Sequence, residues 1–143
     1  MTRRMLREHL FKMLFRIEFH DDAELKEQYE LYFQNSSANT EMITEVAANE
    51  EERKEIEDKL ALIKLNLNEI DKKISDYAKD WDIDRIAKVE LTILRIAVFE
   101  ALFDDNVPLS VAINEAVVLA KKYSTPESAT FINDILGKMT RDE

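Results

Sequence analysis

The sequence predicts an all-α protein of about seven helices in two small packed bundles, and three observations predict it. One glycine and two prolines among 143 residues leave little material for hairpin turns, whereas Leu, Ile, Ala, Glu and Lys are plentiful. Apolar residues recur at three-and-four spacing in stretch after stretch. One stretch, 81–103, is apolar on so much of its circumference that other elements must surround it. The length suits one domain with a shared core, read here as an N-terminal sub-bundle of about 1–65 and a C-terminal one of about 66–143.

Residues 3–19 read as a helix with Leu6, Leu10, Met13, Leu14 and Ile17 as its stripe and Phe11, Phe15 and Phe19 beside it. Asp21 and Asp22 are placed to cap a second helix carrying Leu25, Tyr29, Tyr32 and Phe33, which stops at the polar run 35–39. The acidic stretch 40–52 is weakly patterned, with room for a short helix around Ile43–Val46. Periodicity resumes near Glu52 and runs through Ile56, Leu60 and Ile63, and Asn66 and Asn68 predict a break. A further helix from Glu69 to Asp80 uses Ile70, Ile74 and Tyr77.

The long core helix is predicted over about 83–103, with Asp82 or Asp84 accepting its first free amides. Ile86, Val89, Ile93, Ile96 and Ala97 form one of its stripes; Leu91, Leu94, Val98 and Leu102 form another. Arg95, a charge on an otherwise apolar helix, is predicted to pair with a nearby carboxylate. Residues 104–108 read as a turn. The helix over 109–123 is predicted to turn Val111, Ala112, Ala116, Leu119 and Ala120 inward. Thr125 as N-cap and Pro126 at the first helical position start the last helix, whose buried side is Phe131, Ile132, Ile135, Leu136 and Met139.

The net charge of −10 is unevenly spread. Residues 1–20 carry net +3, residues 21–80 net −9 and residues 81–143 net −4. An acidic body keeps a protein soluble, so the basic end is the odd one out. Arg3 and Arg7 lie one helical turn apart with Arg4 adjacent, so three guanidinium groups share one patch. Cations at a helix N-terminus oppose the macrodipole, which hints at a use beyond stability. A solvated basic face is the plainer alternative.

Composition excludes much chemistry. No apolar run approaches the ~18 residues that span a bilayer. The arginine-bearing N-terminus lacks the apolar core of a secretory signal. The absence of cysteine removes thiolate and disulfide chemistry and fits a cytoplasmic protein. The single Gly137 excludes phosphate-cradling and dinucleotide fingerprints. His9 and His20 have no identifiable metal-ligand partners, and acidic pairs such as Asp104–Asp105 read as turn residues. No catalytic constellation, metal or cofactor is expected.

With the segments placed, the run ILRIAVFE (93–100), Pro108, VAINEAVVLAKKYS (111–124) and SATFIND (128–134) resembles the NusB family of bacterial transcription antitermination factors. The opening RRMLRE (3–8) is similar to that family's arginine-rich start, whereas residues 35–70 carry almost none of its signature. The resemblance implies a two-bundle helical fold and binding of the boxA element of nascent ribosomal-operon RNA together with NusE, a small-subunit ribosomal protein. It further implies an indirect link to the RNA polymerase elongation complex, no membrane, and a monomer or homodimer. A relative fused to an RNA methyltransferase is not expected from a chain ending at Glu143.

Residue by residue, the resemblance implies RNA contacts for Arg3, Arg4 and Arg7, and the patch can extend to Lys12 and Arg16. Phe131 matches an aromatic near the RNA: exposed, it is a stacking platform for an unpaired base; buried, it is core. Glu127 matches an acidic residue beside the RNA, and would in any case favour the dipole of its helix. Phe15 and Glu90 match positions at the NusE contact; the alternatives are a core side chain and an ordinary surface carboxylate. Three departures stand out. Met5 and Leu6 interrupt the arginine cluster, Asp134 stands where the family often has glycine, and net −10 disfavours unaided tight RNA binding. A weak binder that needs a basic partner is the expectation. The alternative is a helical protein-interaction module working through its acidic surface without RNA.

Overall fold

The computed structural model describes residues 2–17, 49–79 and 82–141. The helix expected after Asp21, the polar run 35–39, the option at Ile43–Val46, Phe19, His20 and Trp81 lie outside the described residues. Six α-helices are found among the described residues: α1 Arg3–Ile17, α2 Glu50–Leu65, α3 Leu67–Tyr77, α4 Lys88–Phe103, α5 Leu109–Tyr123 and α6 Pro126–Arg141. A 3-10 turn, Ile83–Arg85, precedes α4, and no described residue is in a strand. The all-α expectation holds.

The chain divides into two compact units, Met1–Leu62 and Ile63–Glu143. In the first, Thr2 caps α1 by accepting the Met5 amide on its hydroxyl at 3.1 Å. Leu6, Leu10, Phe11, Met13 and Leu14 bury the stripe of α1, and His9 is buried with them. Ile56 and Leu60 bury the matching stripe of α2. Each fully buried Leu or Ile contributes ~2 kcal/mol.

Helix α2 begins at a reciprocal cap. The Asn49 side chain accepts the Glu52 amide at 2.8 Å, and Glu52 accepts the Asn49 amide at 3.0 Å. That amide bond holds the Glu52 carboxyl below its usual range. A lowered folded pKa means stability that is present above the unfolded value and lost as pH falls through the folded one. The protection of the amides at residues 50–53, taken relative to their intrinsic exchange rates at each pH, is therefore expected to fall on acidification, and Glu52→Gln should flatten that response. An unchanged pH response in the Gln variant would remove the carboxylate from the account.

In the second unit, α4 packs against α3, α5 and α6. Its residues Leu91 to Glu100 are buried without interruption, as its all-round apolar pattern requires. The Thr92 hydroxyl returns to the Lys88 carbonyl at 2.7 Å, so its burial leaves no donor unmade. Arg95 donates from Nε and Nη2 to the two carboxylate oxygens of Asp71 on α3, both at 2.9 Å. The predicted carboxylate partner is therefore present. Lys138 Nζ donates to the Tyr77 carbonyl at 2.9 Å, joining α6 to the C-terminal turn of α3. The Ser128 amide donates to Thr125 Oγ1 at 3.1 Å, which makes Thr125 the predicted N-cap.

Several boundaries differ from expectation. The long helix starts at Lys88 and not near residue 83. Asp82 does cap, but it accepts the Asp84 amide and closes only the 3-10 turn. Ile86 then sits extended at φ −72°, ψ 130° with its side chain buried, and Ala87 is extended at φ −58°, ψ 143°. Burying Ile86 is worth ~2 kcal/mol, more than one further turn of helix returns. Asn66 alone makes the break between α2 and α3, with Asn68 inside α3. Val111 is 40% exposed and not inward, because its position lies a residue off the Ala112–Ala116–Leu119 stripe of α5. Phe131 is half-buried and not core.

Candidate nucleic-acid interface

The basic residues of α1 and the C-terminal group of site candidates belong to different units. On α1, Arg3, Arg4 and Arg16 are exposed, whereas Arg7 and Lys12 are half-buried. No acidic residue occupies the first turn of α1, so its cations face the positive end of the dipole uncompensated from within the helix. Compensation comes from α2. Arg3 Nη1 donates to Glu55 Oε1 and Oε2, both at 2.9 Å. The side chains are 57% and 38% exposed, so this pair is worth at most ~1 kcal/mol and can exchange for a phosphate. Arg4, Arg7 and Lys12 also interact with neighbours. Phe15 is half-buried and stacks on the buried Phe11, with ring centroids 6.2 Å apart and planes at 29°. Its ring is thus partly buried against the core and partly exposed.

In the second unit, Glu90, Glu127 and Phe131 line one cavity of ≈ 420 Å³, together with Arg85, Ile86, Ala87, Thr125 and Ser128. Residues 85–90 form one wall, where the chain leaves the 3-10 turn and enters α4. Residues 125–131 form the other, the first turns of α6. The extended conformation at Ile86 and Ala87 positions the first wall, and the Thr125 cap positions the second. Glu90 and Glu127 each sit in the first turn of their helix, where a carboxylate is favoured by the dipole. The Ser124 hydroxyl donates to Ser128 Oγ at 2.8 Å, so the hydroxyls of this corner are already engaged. Asp134 lies exposed on α6, three residues beyond Phe131.

The structure thus gathers Glu90, Glu127 and Phe131, which the resemblance divides between two roles, and adds Arg85. Nothing in the spacing signals Arg85, because its cavity neighbours on α6 are about forty residues away in the chain. His9 is buried in the first unit, and no metal-binding group of His, Asp and Glu occurs among the described residues. No described helix is long and apolar enough to cross a membrane.

Residues 4–141 match the NusB family model. A transcription antitermination protein NusB from Agathobacter rectalis is 46% identical over 138 residues, covering 96% of this chain and 98% of the relative. Its counterpart from Lachnoclostridium phytofermentans is 46% identical over 139 residues, covering 97% and 98%. Among solved structures, T. maritima NusB superposes with a TM-score of 0.80 at 31% identity, covering 100% of this chain and 93% of that one. The NusB chain of a complex of antitermination factors NusB and NusE with dsRNA has the same fold, with a TM-score of 0.78 at 20% identity over 99% and 97% of the two chains.

Proposed function

Since the chain belongs to the NusB family, we propose that it is an RNA-binding transcription antitermination factor that binds the boxA element of nascent ribosomal-operon RNA together with NusE and promotes read-through by RNA polymerase. The observation that carries this reading is identity of 46% along nearly the whole length of antitermination relatives. The NusB fold that assembles with NusE and dsRNA supports it. The protein acts by binding, without catalysis or cofactor, in the cytoplasm, as a single domain made of its two units.

The exposed guanidinium groups of Arg3 and Arg4, with Arg7, Lys12 and Arg16 along the same helix, are assigned to the RNA backbone. Phe131 and Glu127 are assigned to an unstacked base at the cavity. The exposed part of Phe15 and the Glu90 carboxylate are assigned to NusE. An overall charge of −10 disfavours tight RNA binding by this chain alone, so joint binding with NusE is the expected mode.

Transcription of paired templates tests the reading. With NusE and RNA polymerase present, adding the protein should raise read-through on a template carrying boxA upstream of a terminator and leave a boxA-less template unchanged. Equal behaviour of the two templates would favour a helical interaction module that works without RNA.

A further inference from the structure

The contact between Arg3 and Glu55 decides the state in which the basic patch meets its ligand. Arg3 opens α1 and Glu55 lies in the second turn of α2, so the contact joins residues 52 positions apart within one compact unit. Arg3 Nη1 reaches both carboxylate oxygens at 2.9 Å. A guanidinium holds two oxygens of a phosphate in the same manner. The positive end of the α1 dipole favours an anion beside Arg3, and in the free protein Glu55 supplies it.

A carboxylate and a phosphate at one guanidinium compete. The Nε and Nη2 donors of Arg3 point to its other edge, but a phosphate taken there would share a single positive charge with Glu55. Two anions a few ångströms apart repel, so the phosphate gains the full charge of Arg3 only when Glu55 lets go. The pair is built to let go. Its side chains are 57% and 38% exposed, and pairs of that kind shift a population by about fivefold at most. A ligand that needs the minor, unpaired form binds more weakly by the same factor.

We propose that Glu55 is an internal competitor of RNA, holding Arg3 in the unbound protein and releasing it when a phosphate binds, an inference that rests on the RNA-binding function proposed above. Glu55 does not touch the RNA and acts only through Arg3. It lowers the affinity for every RNA that uses Arg3 by one common factor. RNA held jointly with NusE tolerates that factor, whereas RNA held by the charge of α1 alone is shed.

Anisotropy titration of a labelled boxA-type RNA at low salt, with and without NusE, tests it on wild type, Glu55→Gln, Arg3→Gln and the double variant. Glu55→Gln is expected to bind about three- to fivefold more tightly than wild type, by the same factor in both conditions. In the Arg3→Gln background the same change should alter affinity by less than about 1.5-fold, because the competitor has nothing left to hold. Asp58→Asn removes an equal charge from an exposed position about one turn further along α2, and should likewise stay within about 1.5-fold. The reciprocal cap of Asn49 and Glu52 is untouched, so circular dichroism should be alike for all the variants. Unchanged affinity in Glu55→Gln, an equal gain without Arg3, or an equal gain from Asp58→Asn would overturn the proposal. If wild type binds the RNA with NusE and Glu55→Gln binds it no better, the competitor falls and RNA binding stands. If none of the proteins binds the RNA, the function proposed above fails and the competitor falls with it.

Discussion

Asp71→Ala is expected to destabilise the protein by about 3 kcal/mol. The substitution removes from Arg95, whose side chain is only 10% exposed among the apolar residues of α4, the carboxylate that accepts from its Nε and Nη2. Removing one partner of a buried pair costs roughly 3–5 kcal/mol, and the 26% exposure of Asp71 admits enough water to hold the value at the low end. The melting temperature should fall by roughly 10 °C for a chain of this size. A double change, Arg95→Met with Asp71→Leu, should recover most of the loss, because an apolar pair needs no compensation. Urea denaturation of the three proteins checks this. A midpoint for Asp71→Ala within error of wild type would mean that Arg95 reaches water and that the pair does not order the second unit.

Reversing Arg3, Arg4 and Arg7 together to Glu is expected to lower affinity for a boxA-type RNA, measured with NusE at low salt, by at least about 100-fold. The slope of log affinity against log salt should become shallower by about 2, as three lost phosphate contacts on a single strand require. The fold should survive. Acidic residues at the start of α1 suit its dipole, and the lost Arg3–Glu55 pair is an exposed one worth at most ~1 kcal/mol. Circular dichroism of the triple variant should therefore match wild type while binding collapses. An unchanged salt slope would make the patch a solvated helix face.

What the sequence made legible follows from the range of the forces involved. The surrounded helix α4, the pairing of Arg95 and the Thr125–Pro126 start of α6 are local or one-sided signals: an all-round apolar pattern, a stranded charge, a cap. The identity of the partner was not local. Asp71 lies 24 residues from Arg95, and Glu55 lies 52 residues from Arg3. The start of α4 is not legible, because Asp82 is a good cap signal for either an α-helix or a 3-10 turn, and only the burial of Ile86 decides between them. Val111 turns outward against its pattern because a stripe of alanines specifies its axis loosely. Arg85 was invisible because a cavity wall is a tertiary object. Phe15 and Phe131 are each half-buried, a state between core and surface that binary apolar patterning cannot express.

On the proposed function, this acidic chain binds boxA-type RNA jointly with NusE. Fluorescence anisotropy of a labelled boxA-type RNA, titrated with the protein alone and then with equimolar NusE across a salt series, tests it most directly. Weak binding by the protein alone is expected, with markedly tighter, salt-sensitive binding in the presence of NusE that is lost when the boxA sequence is scrambled. Association with NusE that leaves the RNA unbound at every salt concentration would contradict it.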